Sequence, residues 1–384
     1  MRQVVIILIL SILPNIMAKA QDAYMNAKSE DSEKVYNGGD FYTVENFTQK
    51  CKSKKPKNII FLIGDGMGVS QVFAGLTANN GHLYLDNFRH IGFSKTQSAS
   101  DYITDSAAGG TALSAGVKTY NGAIAVDVNK QPVTTLLEEA EAKGLATGLV
   151  STSTITHATP ASFIAHQPSR NMYEEIAADF LKTDIDVFIG GGLDHFTKRK
   201  DGRNLVNELK GKGYKVVTNA NELANCNTAP VAGLLAPMHL GRVNERGDVL
   251  LDMTRTAIDI LDNNKKGFFL MVEGSQIDWG GHANNTNYIV EEMLDFDKTI
   301  GEALKFAATN RETLIVITAD HETGGMAITG GDMETGNVVA DYTLTKHTAV
   351  MVPVFAYGPG AQFFTGILDN TQIYSIMKKL LLKK

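Results

Sequence analysis

The sequence predicts an α/β protein with a mostly parallel central sheet and helices on both faces. Short apolar runs rich in β-forming residues alternate with helical patterns, which is typical of parallel strands connected by helices. Three of the apolar runs end in carboxylates, which in such a fold gather at the carboxyl edge of the sheet. No interdomain linker or internal repeat interrupts the pattern in these 384 residues, so we expect one main domain over residues 56–384.

Each predicted element rests on a continuous stretch of one residue pattern. Strands of a parallel sheet that is covered on both faces are short, uninterrupted apolar runs, whereas helices show apolar residues three or four positions apart. The predicted strands are Asn58–Ile63, Leu145–Val150, Val187–Ile189, Tyr214–Val217, Phe268–Val272, Leu314–Thr318 and Val352–Ala356. The predicted helices are Val133–Ala142, Tyr173–Leu181, Asp252–Leu261, Tyr288–Phe306 and Ile373–Leu382.

The first twenty residues have the three-part order of a secretory signal peptide. Arg2 supplies a positive charge, Val4–Leu13 is almost wholly apolar, and Ala18-Lys19-Ala20 places small residues where a signal peptidase cleaves. Because the apolar run is shorter than the ~20 residues of a membrane span, an anchor or a buried helix is the weaker alternative. We expect residues 1–20 to be removed and residues 21–55 to form a loose N-terminal arm of an exported, periplasmic or extracellular protein.

Composition and charge exclude some classes of partner. The net charge is −6, and it becomes −8 when residues 1–20, which contain two basic residues and no acid, are removed. A modestly acidic protein has no general attraction for nucleic acids or anionic membranes, so an anionic substrate requires a local positive site. The two cysteines, Cys51 and Cys226, are too few for a disulfide scaffold or a cysteine-type zinc site, and the sequence leaves open whether they pair. After cleavage we expect no membrane span.

Carboxylates and a histidine follow three of the predicted strands. Asp65, Glu273 and the run Asp320-His321-Glu322 each come at the end of an apolar run. A single acid in a turn means little, but ligand-type residues at three strand ends are hard to attribute to turn chemistry. We therefore expect these side chains to converge in a ligand site at the carboxyl edge of the sheet.

Three further candidates give weaker signals on their own. Asp278 and His282 are four positions apart, which places them on one side of a helix, although Gly280-Gly281 favours a loop. Carboxylate oxygens and imidazole nitrogens are ligands that suit zinc. His347 is a lone histidine, which is more often structural than a metal ligand, so its value depends on the other candidates.

A helix is predicted to begin at or beside Ser106, in the string Thr104-Asp105-Ser106-Ala107-Ala108. The most common role of a serine at the start of a helix is that of an N-cap. A helix N-terminus also binds anions through its free N–H groups and its dipole. Ser106 can therefore be an ordinary cap or a phosphate acceptor, and this pattern alone favours the cap.

Five strings of the sequence resemble the alkaline phosphatase family, in sequence and in order along the chain. They are IIFLIGDGMG, TDSAAGGTALSAGVKTYNGAIAVD, HATPASFIAH, VEGSQIDWGGH and TADHETGG. The resemblance covers about Lys57–Pro359 and implies an alkaline-phosphatase-like fold. It also implies hydrolysis of small phosphate monoesters to an alcohol and inorganic phosphate through a phosphoserine on Ser106.

The resemblance implies two zinc ions and one magnesium ion as cofactors. The ligands of the first zinc match Asp278, His282 and His347. The ligands of the second zinc, which also contacts Ser106, match Asp65, Asp320 and His321. The magnesium ligands match Asp65, which bridges the two sites, Thr159 and Glu273. The arginine that grips the phosphate matches Arg170.

Two positions depart from the enterobacterial form of the family. His157 stands where that form has an aspartate, which leaves open whether the third site takes magnesium or zinc. Trp279, directly after Asp278, stands where that form has a lysine, so a cation near the phosphate is missing. The remaining histidines match no ligand position, and we expect structural or surface roles for His82, His90, His166, His195 and His239.

Other functional classes stay open as alternatives. A phosphodiesterase or a phosphoglycerate-mutase-type enzyme shares the two-metal core but differs around the nucleophile, and the matches at Ser106 and Arg170 favour the monoesterase. A non-catalytic phosphate- or metal-binding protein with a decayed site is disfavoured because every expected ligand type is present. Members of the family often form homodimers, and we carry a homodimer over as an expectation.

Overall fold

The structure is a computed structural model that describes residues 33–382. Its centre is a ten-stranded sheet whose strands, in order across the sheet, begin at residues 366, 90, 352, 313, 58, 268, 146, 187, 231 and 215. All seven predicted strands belong to this sheet, so the predicted α/β class with a mostly parallel sheet is confirmed. The predicted signal peptide and residues 21–32 of the predicted arm lie outside the described residues.

The strands are short, and those at the centre of the sheet are buried along their whole length. They are β1 Val35–Asn37, β2 Asn58–Gly64, β3 His90–Lys95, β4 Ala146–Thr154, β5 Val187–Gly191, β6 Lys215–Val217, β7 Val231–Leu234, β8 Phe268–Gly274, β9 Thr313–Thr318, β10 Glu322–Thr323, β11 Met326–Asp332, β12 Asn337–Tyr342, β13 His347–Thr348, β14 Val352–Tyr357 and β15 Gly366–Asp369. In the large sheet β14 runs antiparallel to both neighbours, β3 and β9, and the remaining pairs are parallel.

The helices include all five that the sequence predicts, with shifted ends. They are α1 Val69–Ala78, α2 Ser106–Ala115, α3 Leu136–Ala142, α4 Ala158–Ala161, α5 Tyr173–Asp179, α6 Leu193–Thr197, α7 Leu205–Gly211, α8 Ala220–Leu223, α9 Val243–Arg246, α10 Val249–Leu261, α11 Ile277–His282, α12 Thr286–Asn310 and α13 Asn370–Leu382. The start of α3 moves from Val133 to Leu136, because Thr135 is the N-cap and forms a capping box with Glu138. None of the helices in residues 33–382 is long and apolar enough to cross a membrane.

Helices cover both faces of the large sheet because its strands point apolar side chains to both sides. In β2, Ile60 and Leu62 belong to the core under α1, α10 and α12. Ile59, Phe61 and Ile63 of the same strand belong to the core under α2, α3 and α13. A strand that is buried on both faces has no side facing solvent, which explains the continuous apolar run Ile59–Ile63 in β2.

The described part of the N-terminal arm is not loose, which corrects the expectation for this segment. Its β1 pairs antiparallel with β12, and β12 pairs with β11 in a separate three-stranded sheet. The Tyr42 hydroxyl donates to the Asp297 carboxylate at 2.6 Å, and the Tyr42 backbone N–H donates to the Asn79 side chain at 2.8 Å. The structure also shows Cys51 and Cys226 as free thiols, the first exposed and the second buried.

A buried ion cluster fixes α9 against α12. Both terminal nitrogens of Arg246 contact Glu292, at 2.9 and 2.7 Å, and one of them also contacts Asp295 at 2.6 Å. Burial raises the pKa of both carboxyl groups, that of Asp295 to about 6, while Arg246 opposes the shift. Arg246 also donates to the Gly241 carbonyl at 2.8 Å, so the cluster holds the end of the segment between β7 and α9.

Arg246→Ala should lower the free energy of unfolding by about 3–5 kcal/mol, because it leaves two buried carboxylates without a partner. Loss of the cation raises the folded-state pKa of both acids further above their unfolded values. The destabilisation is therefore full at alkaline pH and shrinks as the pH falls through the raised values and the acids become neutral. Urea unfolding at pH 9 and pH 5 measures this difference.

Arg255→Ala is the matched control on the neighbouring helix α10. Its ion pair with Glu302 lies at 3.0 Å, but the arginine side chain is 47% exposed. Exposed pairs contribute about 1 kcal/mol or less. Equal losses for the two variants, or a larger loss for Arg246→Ala at pH 5 than at pH 9, would contradict the assignment of a buried cluster in which Arg246 holds two ionised carboxylates.

Candidate active site

Ser106 is the first residue of α2, and its hydroxyl is not used to cap that helix. The N-cap is Asp105, whose carboxylate accepts a hydrogen bond from the Ala108 backbone N–H at 3.0 Å. Ser106 is 2% exposed, and its Oγ lies 3.2 Å from Nε2 of His321. The alternative that Ser106 is an ordinary N-cap is therefore wrong, because the neighbouring aspartate fills that role.

Two glycines allow α2 to approach the carboxyl edge of the sheet closely. A Cβ atom on Gly109 would lie 3.1 Å from Cβ of Asp320, and one on Gly110 would lie 3.0 Å from Oγ of Ser162. Both distances are tighter than ordinary van der Waals contact, so a side chain at either position moves the helix. The absence of side chains there sets the distance between Ser106 and the strand ends.

One group of metal-ligand side chains comprises Asp278 and His282 from α11 and His347 from β13. Nε2 of His282 lies 3.3 Å from the Asp278 carboxylate, Nε2 of His347 lies 3.5 Å from it, and the two Nε2 atoms are 3.3 Å apart. The Nδ1 atoms of the two histidines contact the carbonyls of Thr345 and Thr104, at 2.8 and 2.9 Å. Carbonyl contacts at Nδ1 keep the proton there and leave both Nε2 atoms free to bind a metal.

A second group comprises Asp65 after β2 and Asp320 and His321 after β9. Nε2 of His321 lies 3.2 Å from the Asp320 carboxylate and 3.5 Å from that of Asp65. This is the same Nε2 that faces Ser106, so the serine hydroxyl stands at the edge of the second group. The imidazole of His321 stacks on that of His347 with ring centroids 3.5 Å apart, which places the first two groups side by side.

A third group comprises Asp65, His157 and Glu273. One oxygen of Glu273 accepts hydrogen bonds from Ser151 at 2.6 Å and Ser275 at 2.7 Å, which fixes the direction of the other oxygen. Thr159 is fully buried in α4 beside this carboxylate. Burial raises the pKa of Glu273, and the hydroxyls of Ser151, Ser275 and Thr159 oppose the shift. Asp65 is shared with the second group, so the second and third groups are continuous.

The burial of four carboxylates at this edge requires cations to balance them. Asp65, Glu273, Asp278 and Asp320 are each 3% exposed or less. Neither carboxylate oxygen of Asp65 has a hydrogen-bond partner. Burial, Asp320 and Asp278 raise the pKa of Asp65 well above its usual range. Oxygen and imidazole donors of this kind fit divalent metal ions, which remove the repulsion and satisfy the unpaired oxygens.

Arg170 lies beside the first turn of α2. Its Nη1 donates to the Asp105 carboxylate at 3.0 Å, and its Nη2 lies 3.4 Å from Nε2 of His157. Burial raises the pKa of Asp105, but Arg170 and the backbone N–H groups of Ala108 and Gly122 outweigh it, so the net shift is downward. Asp105 therefore stays ionised and holds the guanidinium next to Ser106.

Trp279 and His239 stand next to His157 at the same edge. The indole of Trp279 is 7% exposed, and its ring centroid lies 4.7 Å from that of His239 and 6.2 Å from that of His157. His239 belongs to the connection between β7 and α9, and its contact with these rings could not be predicted because that segment has no sequence pattern of its own.

The other four histidines belong to none of the three groups. His195 is buried with its Nδ1 2.6 Å from the Thr156 hydroxyl, and His166 contacts Glu138 at 2.8 Å. His82 is exposed, and His90 lies half-buried at the start of β3.

No role was predicted for Asp105 beyond its place in the motif around Ser106. An aspartate directly before a helix start is the signal that identifies it as the cap.

The parallel sheet, the helix start at its carboxyl edge and the adjoining ligand groups define a metal-dependent enzyme acting on phosphate. The chain belongs to the alkaline phosphatase family, because the model of that family, described as Alkaline phosphatase, matches residues 56–343. It is therefore a phosphoric monoester hydrolase.

Curated relatives and solved structures agree with this assignment. The chain is 37% identical over 433 residues to Alkaline phosphatase 4 of Bacillus subtilis, which covers 90% of this chain and 94% of that one. It is 33% identical over 411 residues to the alkaline phosphatase of Escherichia coli K12, covering 86% and 87%. The solved alkaline phosphatase from the Antarctic bacterium TAB5 is 41% identical with a TM-score of 0.81, covering 85% and 98%.

Gly109→Val should reduce kcat by about 10- to 100-fold while the protein stays folded. A side chain at this position meets Asp320 at 3.1 Å, so it moves the start of α2 away from the strand ends. A displacement of that kind costs about two orders of magnitude when it misplaces a reacting group. Hydrolysis of an aryl phosphate, with circular dichroism as the test of folding, measures the effect.

Gly211→Val is the matched control, because this helical glycine at the end of α7 has no atom within 4 Å of an added Cβ. It should keep the activity of the unaltered protein. If Gly109→Val kept full activity, the close approach of α2 to Asp320 would have no role in placing Ser106.

Proposed function

We propose that this alkaline phosphatase works through a phosphoserine on Ser106. The observation that supports it is the position of Ser106 Oγ, free of capping, at a helix N-terminus and 3.2 Å from His321 of a metal-ligand group. A helix N-terminus stabilises the negative charge of a bound phosphate through its N–H groups. The serine that meets the phosphate there is the natural acceptor.

The proposed reaction has two displacements at phosphorus. In the first, the Ser106 hydroxyl loses its proton to solvent and the Oγ–P bond forms, while the bond from phosphorus to the ester oxygen breaks. The alcohol leaves and takes a proton from water. In the second, water attacks the phosphoserine, the Oγ–P bond breaks, and Ser106 regains a proton as inorganic phosphate leaves.

We propose that two zinc ions are held by Asp278, His282 and His347 and by Asp65, Asp320 and His321. Bound zinc lowers the pKa of a neighbouring hydroxyl or water and balances negative charge on the leaving oxygen and the phosphate. Imidazole nitrogens together with carboxylates favour zinc over harder ions at these two groups.

We propose that the third group holds magnesium, or zinc because of His157. Oxygen ligands such as Glu273 and Thr159 suit magnesium with retained waters, whereas an imidazole nitrogen favours zinc. Mg is bound in the M3 site of TAB5 alkaline phosphatase variants in which a histidine is replaced by aspartate or glutamate. A nitrogen donor at His157 in the comparable place supports a weaker preference for magnesium here.

Arg170 is proposed to bind the phosphate through its planar fork. Asp105 holds one side of the guanidinium at 3.0 Å and thereby directs the remaining N–H groups to the space in front of Ser106. Trp279 contributes no charge there. With one cation fewer than the enterobacterial form, product phosphate is held less tightly and leaves sooner.

We also propose that the protein is exported and that it acts on small phosphate monoesters. The order of charged, apolar and small residues in positions 1–20 supports export to the periplasm or beyond, with a mature chain from about Gln21. Small phosphate monoesters are the proposed substrates, and a homodimer stays a prediction. Compared with a phosphodiesterase or a phosphoglycerate-mutase-type activity, the free Ser106 hydroxyl next to Arg170 favours the monoesterase.

Ser106→Ala should lower kcat by at least about 10³-fold, because it removes the attacking oxygen. Acid quenching of the unaltered enzyme with substrate, followed by mass spectrometry of its peptides, should locate the phosphate on Ser106. Ser114→Ala is the control, since Ser114 is buried in the same helix but bonds to the Ser162 carbonyl. Phosphate on any other residue, or on none, would contradict the intermediate.

Metal analysis of the dialysed protein should give about two tightly held transition ions per chain. His347→Ala should lose about one of them together with most activity, because it removes a ligand of the first group. His157→Asp should raise the response of activity to added magnesium, since it replaces a nitrogen donor by oxygen. Unchanged metal content in His347→Ala would show that this residue is not a ligand.

His166→Ala is the control for both substitutions. His166 contacts Glu138 and the Ala125 carbonyl and belongs to none of the three ligand groups. Its removal should leave metal content and the magnesium response unchanged, whatever it costs in stability.

A further inference from the structure

Trp279 is the single tryptophan of the chain, and it is enclosed by imidazole rings. The ring of His239 meets it at 76°, with a centroid distance of 4.7 Å, and that of His157 meets it at 86° and 6.2 Å. Edge-to-face contacts of this kind stabilise one orientation of an aromatic pair over others. The position of the indole therefore depends on the rings beside it.

The ring of His239 is itself held in one orientation. Its Nδ1 accepts a hydrogen bond from the Thr154 backbone N–H at 3.0 Å, at the carboxyl end of β4. Nδ1 is thus the acceptor, and the proton is on Nε2. Burial, followed by the neighbouring His195, lowers the pKa of His239 to about 4, so the ring is neutral when the enzyme works.

The backbone on both sides of His239 is tied to the rim of the site. The Met238 carbonyl accepts from the Gly192 N–H at 2.8 Å, and the Leu240 N–H donates to the Thr152 carbonyl at 3.2 Å. The Gln276 side chain donates to the Leu240 carbonyl at 2.9 Å, which connects this segment to the start of α11, where Trp279 lies. His239 therefore occupies a fixed place between β4 and α11.

We propose that His239 is a positioning residue for phosphate binding, whose ring holds the Trp279 indole against His157 and thereby closes the side of the pocket next to Arg170. The inference rests on the proposed function in taking Arg170 as the phosphate-binding group. The spatial order is continuous, since His239 contacts Trp279, both contact His157, and His157 lies 3.4 Å from Arg170.

The indole strengthens the binding of phosphate by excluding water from the pocket next to Arg170. Coulombic attraction between a guanidinium and a phosphate weakens as the effective dielectric constant rises. If the ring of His239 is removed, the indole can tilt into the space it leaves, and water enters beside Arg170. Product phosphate should then bind less tightly, although the metal ligands are unaltered.

The test compares three substitutions of His239 by two measurements. His239→Ala removes the ring and the acceptor, His239→Asn keeps an acceptor for the Thr154 N–H without the ring, and His239→Phe keeps the ring without the acceptor. Emission of the single tryptophan, with acrylamide quenching, reports the position of the indole. The inhibition constant for inorganic phosphate reports the pocket.

His239→Ala and His239→Asn should both shift the emission to longer wavelength, increase quenching, and raise the inhibition constant by about threefold or more. His239→Phe should stay close to the unaltered protein in both measurements. Metal content should be unchanged in all three variants. If Phe does not fold, the comparison of Ala with Asn still decides the question.

His166→Ala is the matched control. His166 is a partly buried histidine that contacts Glu138 and the Ala125 carbonyl and belongs to none of the three ligand groups. Its removal should leave the emission and the inhibition constant unaltered, whatever it costs in stability. The proposal is overturned if His239→Ala leaves both measurements unchanged, or if His239→Asn restores both, since His239 would then act on β4 alone.

The two proposals can fail separately. Absence of phosphate from Ser106 contradicts the proposed intermediate, while the emission comparison still reports whether His239 holds the indole. A phosphoserine on Ser106 with unaltered emission in His239→Ala contradicts only the positioning role.

Discussion

The repulsion between buried carboxylates is the constraint on which this structure depends. Asp65, Glu273, Asp278 and Asp320 are withdrawn from water within one small volume, and a low effective dielectric constant makes their mutual repulsion large. Only cations at the same place offset it, since Asp65 has no hydrogen-bond partner for either oxygen. The carboxyl ends of adjacent parallel strands are where a chain can bring such residues together from distant parts of its sequence. The sheet is thus the means of assembling charges that would otherwise stay apart.

Ser106, the proposed nucleophile, lies next to these charges without adding to them. Asp105 caps α2 and ionises beside Arg170, so the capping role and the negative charge both fall on a residue other than Ser106. Gly109 then lets the helix backbone pack directly on Asp320. Close packing transmits such spacing rigidly, so Asp105 and Gly109 together set the position of the Ser106 hydroxyl, which is the proposed attacking oxygen.

The predictions from sequence were most accurate where a single physical requirement applies to every residue of a continuous stretch. Buried central strands such as β2 must be apolar on both faces, so they form apolar runs that are easy to recognise. The metal-ligand side chains that follow these runs could therefore be predicted as well. The exposed edge strand β15 was missed, because its sequence is short and only partly buried. The contact between His239 and Trp279 could not be predicted, because it is a tertiary contact of an irregular segment, which leaves no periodic signal. The N-terminal arm looked loose because polar residues such as Tyr42 and Asn79 anchor it through hydrogen bonds rather than an apolar stripe.

If Arg170 binds phosphate as proposed, the indole of Trp279 beside His157 affects phosphate affinity in a different way from a lysine at the same position. A lysine attracts the dianion directly, whereas an indole changes only the medium through which Arg170 and the metal ions attract it. The phosphate affinity then depends on the orientation of the indole, because a tilted ring admits water and an unmoved ring does not. Such a site therefore needs residues that fix the ring, and His239, anchored by backbone bonds on both sides, meets that need. An uncharged indole in this position lowers the affinity for product phosphate, while the metal ligands and the proposed nucleophile Ser106 remain unchanged.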